Sequence, residues 1–156
     1  MNIACHAIQT LLATSTIAVI LTIEDMFTGG GIFRGILIAV LGSTGFVLFI
    51  TPHTDAARPL HSLEGHTIAI GIGTCIGIIA YIFPIIPIGA AAALAVGLAM
   101  FVMALTGTGH APAAGTALGV SVQGFHWDVV AMFMLEILVL AINHHLFKRK
   151  LENLLG

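Results

Sequence analysis

Charge is what this sequence has least of. Only 8% of its 156 residues are Asp, Glu, Lys or Arg, where a soluble domain carries about 25%. A chain of this length could bury a core in water, but five basic and seven acidic residues cannot cover its surface. The shortage excludes a water-soluble globule, a disordered regulator and a nucleic-acid binder, which needs clustered basic charge. No Lys or Arg precedes Arg34, and no small-residue cleavage site follows the first apolar stretch, so a signal peptide is not expected. Cysteine is scarce as well. Cys5 and Cys75 form no CxxC pair or metal cluster, and Cys75, inside an apolar run, is expected to be a buried free thiol.

What is present is apolar. Hydrophobic residues make up 58% of the chain, and the mean hydropathy is +1.10. The composition implies a single all-α domain over 1–156, a polytopic membrane helix bundle of four to five spans. Residues 7–23 predict a first span, broken near Glu24 and Asp25, with a Gly-rich turn over 26–31. A second span is expected from Phe33 to Ile50. The segment Thr51–Gly65, the most polar of the chain, predicts a solvated loop. Further spans are expected over 66–83, 88–106 and 128–147, the first two separated by Pro84 and Pro87. Spans of roughly 17–20 residues reach about 26–30 Å, enough for a bilayer core. The stretch Ala113–Val122 is too short for that. It predicts a re-entrant half-helix around 112–122, inside protein or along a cavity, or alternatively a full crossing that would flip the N-terminus. Lys148, Arg149 and Lys150 place the C-terminus in the cytoplasm of a multi-pass cell-membrane protein. With five spans, the N-terminus and Arg58 fall outside and Arg34 inside. Gly73 and Gly77 form a GxxxG pair, and Ala90–Ala93, Ala95, Gly97 and Ala99 crowd the next span. Such small residues allow close helix approach in lipid, within one chain or between copies, and a homo-oligomer is expected.

A few residues could carry chemistry. Glu136 stands near the middle of a span, where an ionisable group usually faces a bundle interior or water. With Asn143 on the same helix face it is a proton-relay candidate, or a protonated carboxyl bonded to a neighbouring helix. The eight histidines lack metal-site spacing, so no metal and no cofactor are expected. His110 stands in Thr106-Gly107-Thr108-Gly109-His110-Ala111-Pro112-Ala113-Ala114-Gly115-Thr116. Pro112 suits a helix start. The unpaired amides beyond it would form an anion site with Thr108, Thr116 and His110 as further donors. Leu41-Gly42-Ser43-Thr44-Gly45 is a second Gly- and hydroxyl-rich stretch, expected to interrupt its span. Two such breaks in separate halves are the pattern of a transporter site. Close-packing glycines with locally bonded hydroxyls would give the same sequence. No nucleophile–base pair is seen, so an enzyme is not expected.

The stretch His110-Ala111-Pro112-Ala113-Ala114-Gly115-Thr116-Ala117-Leu118 resembles the motif, roughly HPPAGATAL, of the HPP family of small integral membrane proteins. Ala111 replaces the first proline, and Ala114-Gly115 inverts the usual order. Leu41–Phe49 is similar to the family's FGASAVLLF run. Asp55–Pro59 with Glu64-Gly65-His66 resembles its AQPRN…GGH loop, with Arg and Pro reversed, and Ile142–Leu146 resembles its YNNL end. The matches fall in family order over about 33–147. The resemblance implies a multi-pass protein usually described with four spans, and some plastid and cyanobacterial members are associated with nitrite transport. Carried over by position, the candidate substrate residues are His110, Pro112 and Thr116; Gly42, Ser43 and Thr44; Arg58; Gly65 and His66; and Asn143. The expected function is a transporter or channel for a small monovalent anion, nitrite first, held by helix N-termini and hydroxyls. The alternatives are a structural or regulatory membrane module without transport, or a proton-coupled or cation carrier. The expected partners are the lipid bilayer and a small anion, with no nucleic acid.

Overall fold

The computed structural model describes residues 3–28, 32–123 and 126–155. Six α-helices follow one another: α1 (Ile3–Thr28), α2 (Ile32–Ile50), α3 (Pro59–Ile82), α4 (Ile88–Thr106), α5 (Ala111–Gln123) and α6 (Trp127–Phe147). Short 3-10 turns cover Asp55–Ala57 and Lys148–Lys150, and no strand occurs among the described residues. Helix is what an apolar chain adopts in lipid, because it satisfies its own backbone polar groups. By length and composition, α3, α4 and the His6–Ile23 stretch of α1 can cross a membrane, and Ile38–Ile50 of α2 is apolar over a shorter run.

Several expected boundaries move. The first helix is not broken at Glu24 and Asp25 but continues to Thr28; residues 29–31 of the expected turn lie outside the described residues. The solvated loop shrinks to 51–58, because Pro59 is the first residue of α3. Proline is suited to that position, having no N–H to leave unpaired. His61, Ser62, Glu64 and Gly65 therefore belong to a helix. Nor is the remaining loop wholly solvated, since Pro52 and Ala57 are buried. The run Leu41–Gly45 does not interrupt α2, which stays helical through it. Gly107 closes α4 in the left-handed conformation (φ 68°), with its N–H on the Met103 carbonyl. Glycine adopts that backbone without the Cβ penalty of other residues.

The directions of the helices follow from contacts at their ends. Gln9, early in α1, bonds to the carbonyl of Phe49 at the end of α2 and to the backbone of Glu152. His144, late in α6, bonds to the Pro52 carbonyl, and Leu154 N–H to that of Ile50. The N-terminus of α1, the C-termini of α2 and α6, and the 51–58 loop thus share one end of the bundle. α5 runs alongside α3 in the same direction, with Ala113 beside Gly65, Ala117 beside Gly73 and Ser121 beside Gly77. It has 13 residues, about 20 Å, the short element expected at 112–122. Its direction carries the chain from one end of the bundle to the other, and α6 returns. Both termini then lie at one end. Arg58 joins Lys148–Lys150 there, and Arg34 opens α2 at the other end, reversing the placement of these two arginines in the five-span reading.

α5 is the packed centre, touching α2, α3 and α4. On α3, Gly65, Ala69, Gly73 and Gly77 recur every four residues and make one flat stripe. A Cβ added at Gly73 would stand 2.8 Å from the Ala117 carbonyl oxygen and 3.0 Å from Val120 Cβ; one at Gly77 would stand 3.1 Å from the Ser121 carbonyl oxygen. On its other side α5 receives α2, where a Cβ at Gly115 or Gly119 would meet Val40 or Ile36 at 2.9 Å. Ala91, Ala95, Ala99 and Met103 of α4 complete this core with Ala69, Ala113 and Ala117. A second core joins α1, α2 and α6 through Ile20, Leu41, Phe49, Phe133, Ile137 and Leu140.

The outer surface is apolar, with Ile8, Leu94, Phe101 and Leu146 all exposed. Exposed Tyr81 and Trp127 lie at one end, the usual level of interfacial aromatics. Cys75 is also exposed, so the expected buried thiol is corrected: its neighbours Thr74 and Ile76 turn inward and Cys75 faces out.

Two outcomes follow. Gly73→Val should overpack the α3–α5 contact and cost about 1–3 kcal/mol, read as a lowered unfolding midpoint in detergent. Gly71→Ala, with nothing within 4 Å, should leave it unchanged. Reporters fused to the two ends of the chain should respond from the same side of the membrane.

Candidate functional site: a buried histidine pair

His66 is placed one residue past Gly65, on the second turn of α3, and is fully buried. Its Nδ1 lies 2.8 Å from Thr116 Oγ1 of α5, and its Nε2 lies 3.4 Å from Thr44 Oγ1 of α2. Both hydroxyls are buried too. From α6, Phe133 sets its ring edge-on to the imidazole, with centroids 5.1 Å apart and planes at 81°. One side chain thus joins four helices.

His110 stands beside it, with ring centroids 5.1 Å apart and planes at 67°. Thr106-Gly107-Thr108-Gly109 brings it there. After Gly107 turns the chain, Thr108 N–H bonds to the Met103 carbonyl (3.0 Å), and Thr106 and Thr108 share a hydroxyl bond of 2.7 Å. Gly65 makes room: a Cβ there would meet His110 Cβ at 3.0 Å. The partners of His110 assign its tautomer. A carbonyl only accepts, so Nδ1–H donates to Ala56 O at 2.9 Å, and Nε2 is left to accept from the Ser62 hydroxyl at 3.3 Å. Burial lowers the His110 pKa from its ordinary value of 6.5; the bond to Ala56 opposes this and His61 adds to it.

The site is therefore Ser62, His66, His110, Thr44 and Thr116, buried and built only of neutral donors and acceptors. Arg58 is elsewhere, exposed and paired with Asp55 at 3.0 Å. Gly42 is exposed with open space about it, and Ser43 is exposed with its hydroxyl on the Val40 carbonyl. Asn143 is spent on its own helix, bonding the Val139 carbonyl at 3.0 Å. Glu136 is buried one turn beyond Phe133. At the start of α5, Ala113 N–H is already bonded to the His110 carbonyl (3.0 Å), so the expected open anion site there is partly filled. Pro112 is buried, and with Ser43, Val40, Gly115 and Leu118 it lines a largely apolar groove of about 620 Å³ between α2 and α5. Among the described residues no three His, Cys, Asp or Glu side chains converge as metal ligands.

Three participants escaped the sequence reading. Ser62 lies four residues before His66; taking Pro59 as a helix start would have put the two on one helix face, though not shown that Ser62 bonds His110. Phe133 and the Ala56 carbonyl carry no local signal.

Residues 1–153 match the family described as HPP, transmembrane region. The chain belongs to the HPP family. It is accordingly a membrane-spanning protein in contact with the bilayer. No curated protein and no solved structure matches it. In this HPP chain the motif histidine, His110, and its Thr116 reach the same histidine of α3, which is how residues 110–118 and 64–66 become one site.

The lowered His110 pKa sets the sign of a pH effect. The unfolded chain binds the proton more readily, so His110 contributes stability above about pH 6.5 that is lost as the pH falls toward its folded value. Unfolding midpoints in detergent should drop between pH 7.5 and 5, and His110→Gln should flatten part of that slope.

Proposed function

We propose that this HPP-family protein is a carrier, not an enzyme, that moves a small monovalent anion across the cell membrane. Nitrite is the species the family resemblance implies. The observation that carries the reading is the buried set of neutral donors, Thr44, His66 and Thr116, held where three helices meet. Hydroxyl and imidazole donors grip an anion weakly enough for release, where a buried lysine or arginine would trap it. The groove between α2 and α5 offers an approach. Ser43 and Gly115 line it, and the next residues in sequence, Thr44 and Thr116, face the histidine. The bonds of 3.4 Å and 3.3 Å from Thr44 and Ser62 are long, so these hydroxyls give up little on turning to a ligand. The reading keeps the C-terminus in the cytoplasm, on the strength of Lys148–Lys150 and Arg58 at one end, and a homo-oligomeric assembly.

One observation favours a second reading, a structural membrane module without transport. Both imidazoles already have partners within the protein, as a purely architectural polar core would.

Flux separates the two. Proteoliposomes should take up nitrite above the passive rate of protein-free vesicles. Thr116→Val and His66→Ala should each cut that excess about tenfold or more, the loss expected for one hydrogen bond to a charged group. Uptake equal to that of protein-free vesicles would favour the structural module.

A further inference from the structure

We infer that the anion enters this site together with one proton, taken up by the His66–His110 pair, so that the loaded carrier is neutral. The inference rests on the anion-carrier reading above and adds the coupling ion to it.

The argument is one of charge. An anion at Thr44, His66 and Thr116 would be out of water, since all three are essentially inaccessible. A buried charge persists only if paired. Among the described residues, the elements packed there present mostly neutral groups to the imidazoles, and α4 brings only the apolar Met103 beside Gly65. α2 presents Thr44, α5 presents Thr116 and α6 presents Phe133. α3 itself adds Ser62, and the 51–58 loop adds the Ala56 carbonyl. Glu136, buried on α6 one turn past Phe133, could add only negative charge. No described basic side chain bonds to either imidazole. Arg58 is exposed and paired to Asp55, and Lys148–Lys150 follow the end of α6. Arg34 opens α2 ten residues before Thr44, about 15 Å along the axis. Among the described residues, the groups bonded into the site that can become positive are the two imidazoles, with His61 beside His110.

The arrangement also gives the proton a route. His61, half-buried, is the neighbour of Ser62 at the end where the 51–58 loop lies, and it acts electrostatically on His110. Ser62 Oγ lies 3.3 Å from His110 Nε2, and the His110 and His66 rings are 5.1 Å apart. The step balances simply. Neutral imidazole plus a proton and the anion gives an imidazolium–anion pair, and release on the far side returns both with the imidazole neutral. No bond other than the N–H is made or broken.

The test uses the full chain in proteoliposomes, with nitrite as the anion, a trapped pH dye and a potential clamped by potassium and valinomycin. Protein-free vesicles supply the passive flux of nitrous acid for subtraction. The expected result is about one proton per nitrite, with a rate changing less than about twofold between 0 and 100 mV. An uncompensated charge crossing the same field would shift its distribution about fifty-fold. Replacing both imidazoles, His66→Gln together with His110→Gln, keeps hydrogen-bonding side chains that cannot be protonated and should lose the proton-coupled flux. Nitrite flux that carries no protons and follows the voltage overturns the coupling and leaves the carrier reading standing. So does flux of this double variant that keeps the ratio of one. Absence of protein-dependent nitrite flux overturns both.

Discussion

The structure depends on how closely two helix backbones can approach. α3 and α5 touch along Gly65, Ala69, Gly73 and Gly77 on one side and Ala113, Ala117 and Ser121 on the other. Lipid gives apolar side chains no reason to prefer a neighbouring helix, so association relies on packing and polar contacts. Small residues supply the packing. The close approach also supplies the polar contact, because it brings Thr116 within reach of His66 and leaves a recess at Gly65 for His110. A side chain at Gly73 would separate the helices and pull the site apart.

The second constraint is that none of the five residues of the site is a lysine, arginine or carboxylate. Each polar group of the site is neutral and finds its partner on a different segment: His66 on α2 and α5, His110 on the 51–58 loop and α3. Buried polar groups that satisfy one another in this way specify one arrangement of helices more sharply than apolar contacts do. Under the proposed carrier function, the same neutrality would suit a small ion held briefly and would call for a compensating charge to arrive with it.

Much of this was legible in the sequence. The charge shortage gave the membrane bundle, and the fourth span, expected at about 88–106, is α4, which follows Pro87 and ends at Gly107. His110, Thr116, Thr44 and His66 were all singled out. What could not be read was their convergence, since residues 44, 66 and 116 are joined by helix packing that leaves no mark in local spacing. Arg58 and Asn143 were carried over with them by resemblance and stand apart. The loop at 51–65 was misjudged because its polar composition outweighed the helix signal of Pro59. The expected break in α2 failed because Gly42, Ser43 and Gly45 remain compatible with helix when Ser43 can bond back to Val40. Cys75 was placed inside because its apolar neighbours look alike on every face of a membrane helix; hydropathy does not distinguish lipid from core.

The tail beyond α6 has a further consequence. Leu151 is buried, its carbonyl receives the His53 ring N–H at 2.8 Å, Asn153 accepts from the His53 backbone, and Glu152 pairs with Gln9. A glutamine near the beginning of the chain is thus satisfied by residues near its end. The same amide also bonds the Phe49 carbonyl, so one side chain of α1 ties the end of α2 to the segment beyond α6. Loosening that segment would therefore release α1 and α2 from their common anchor together.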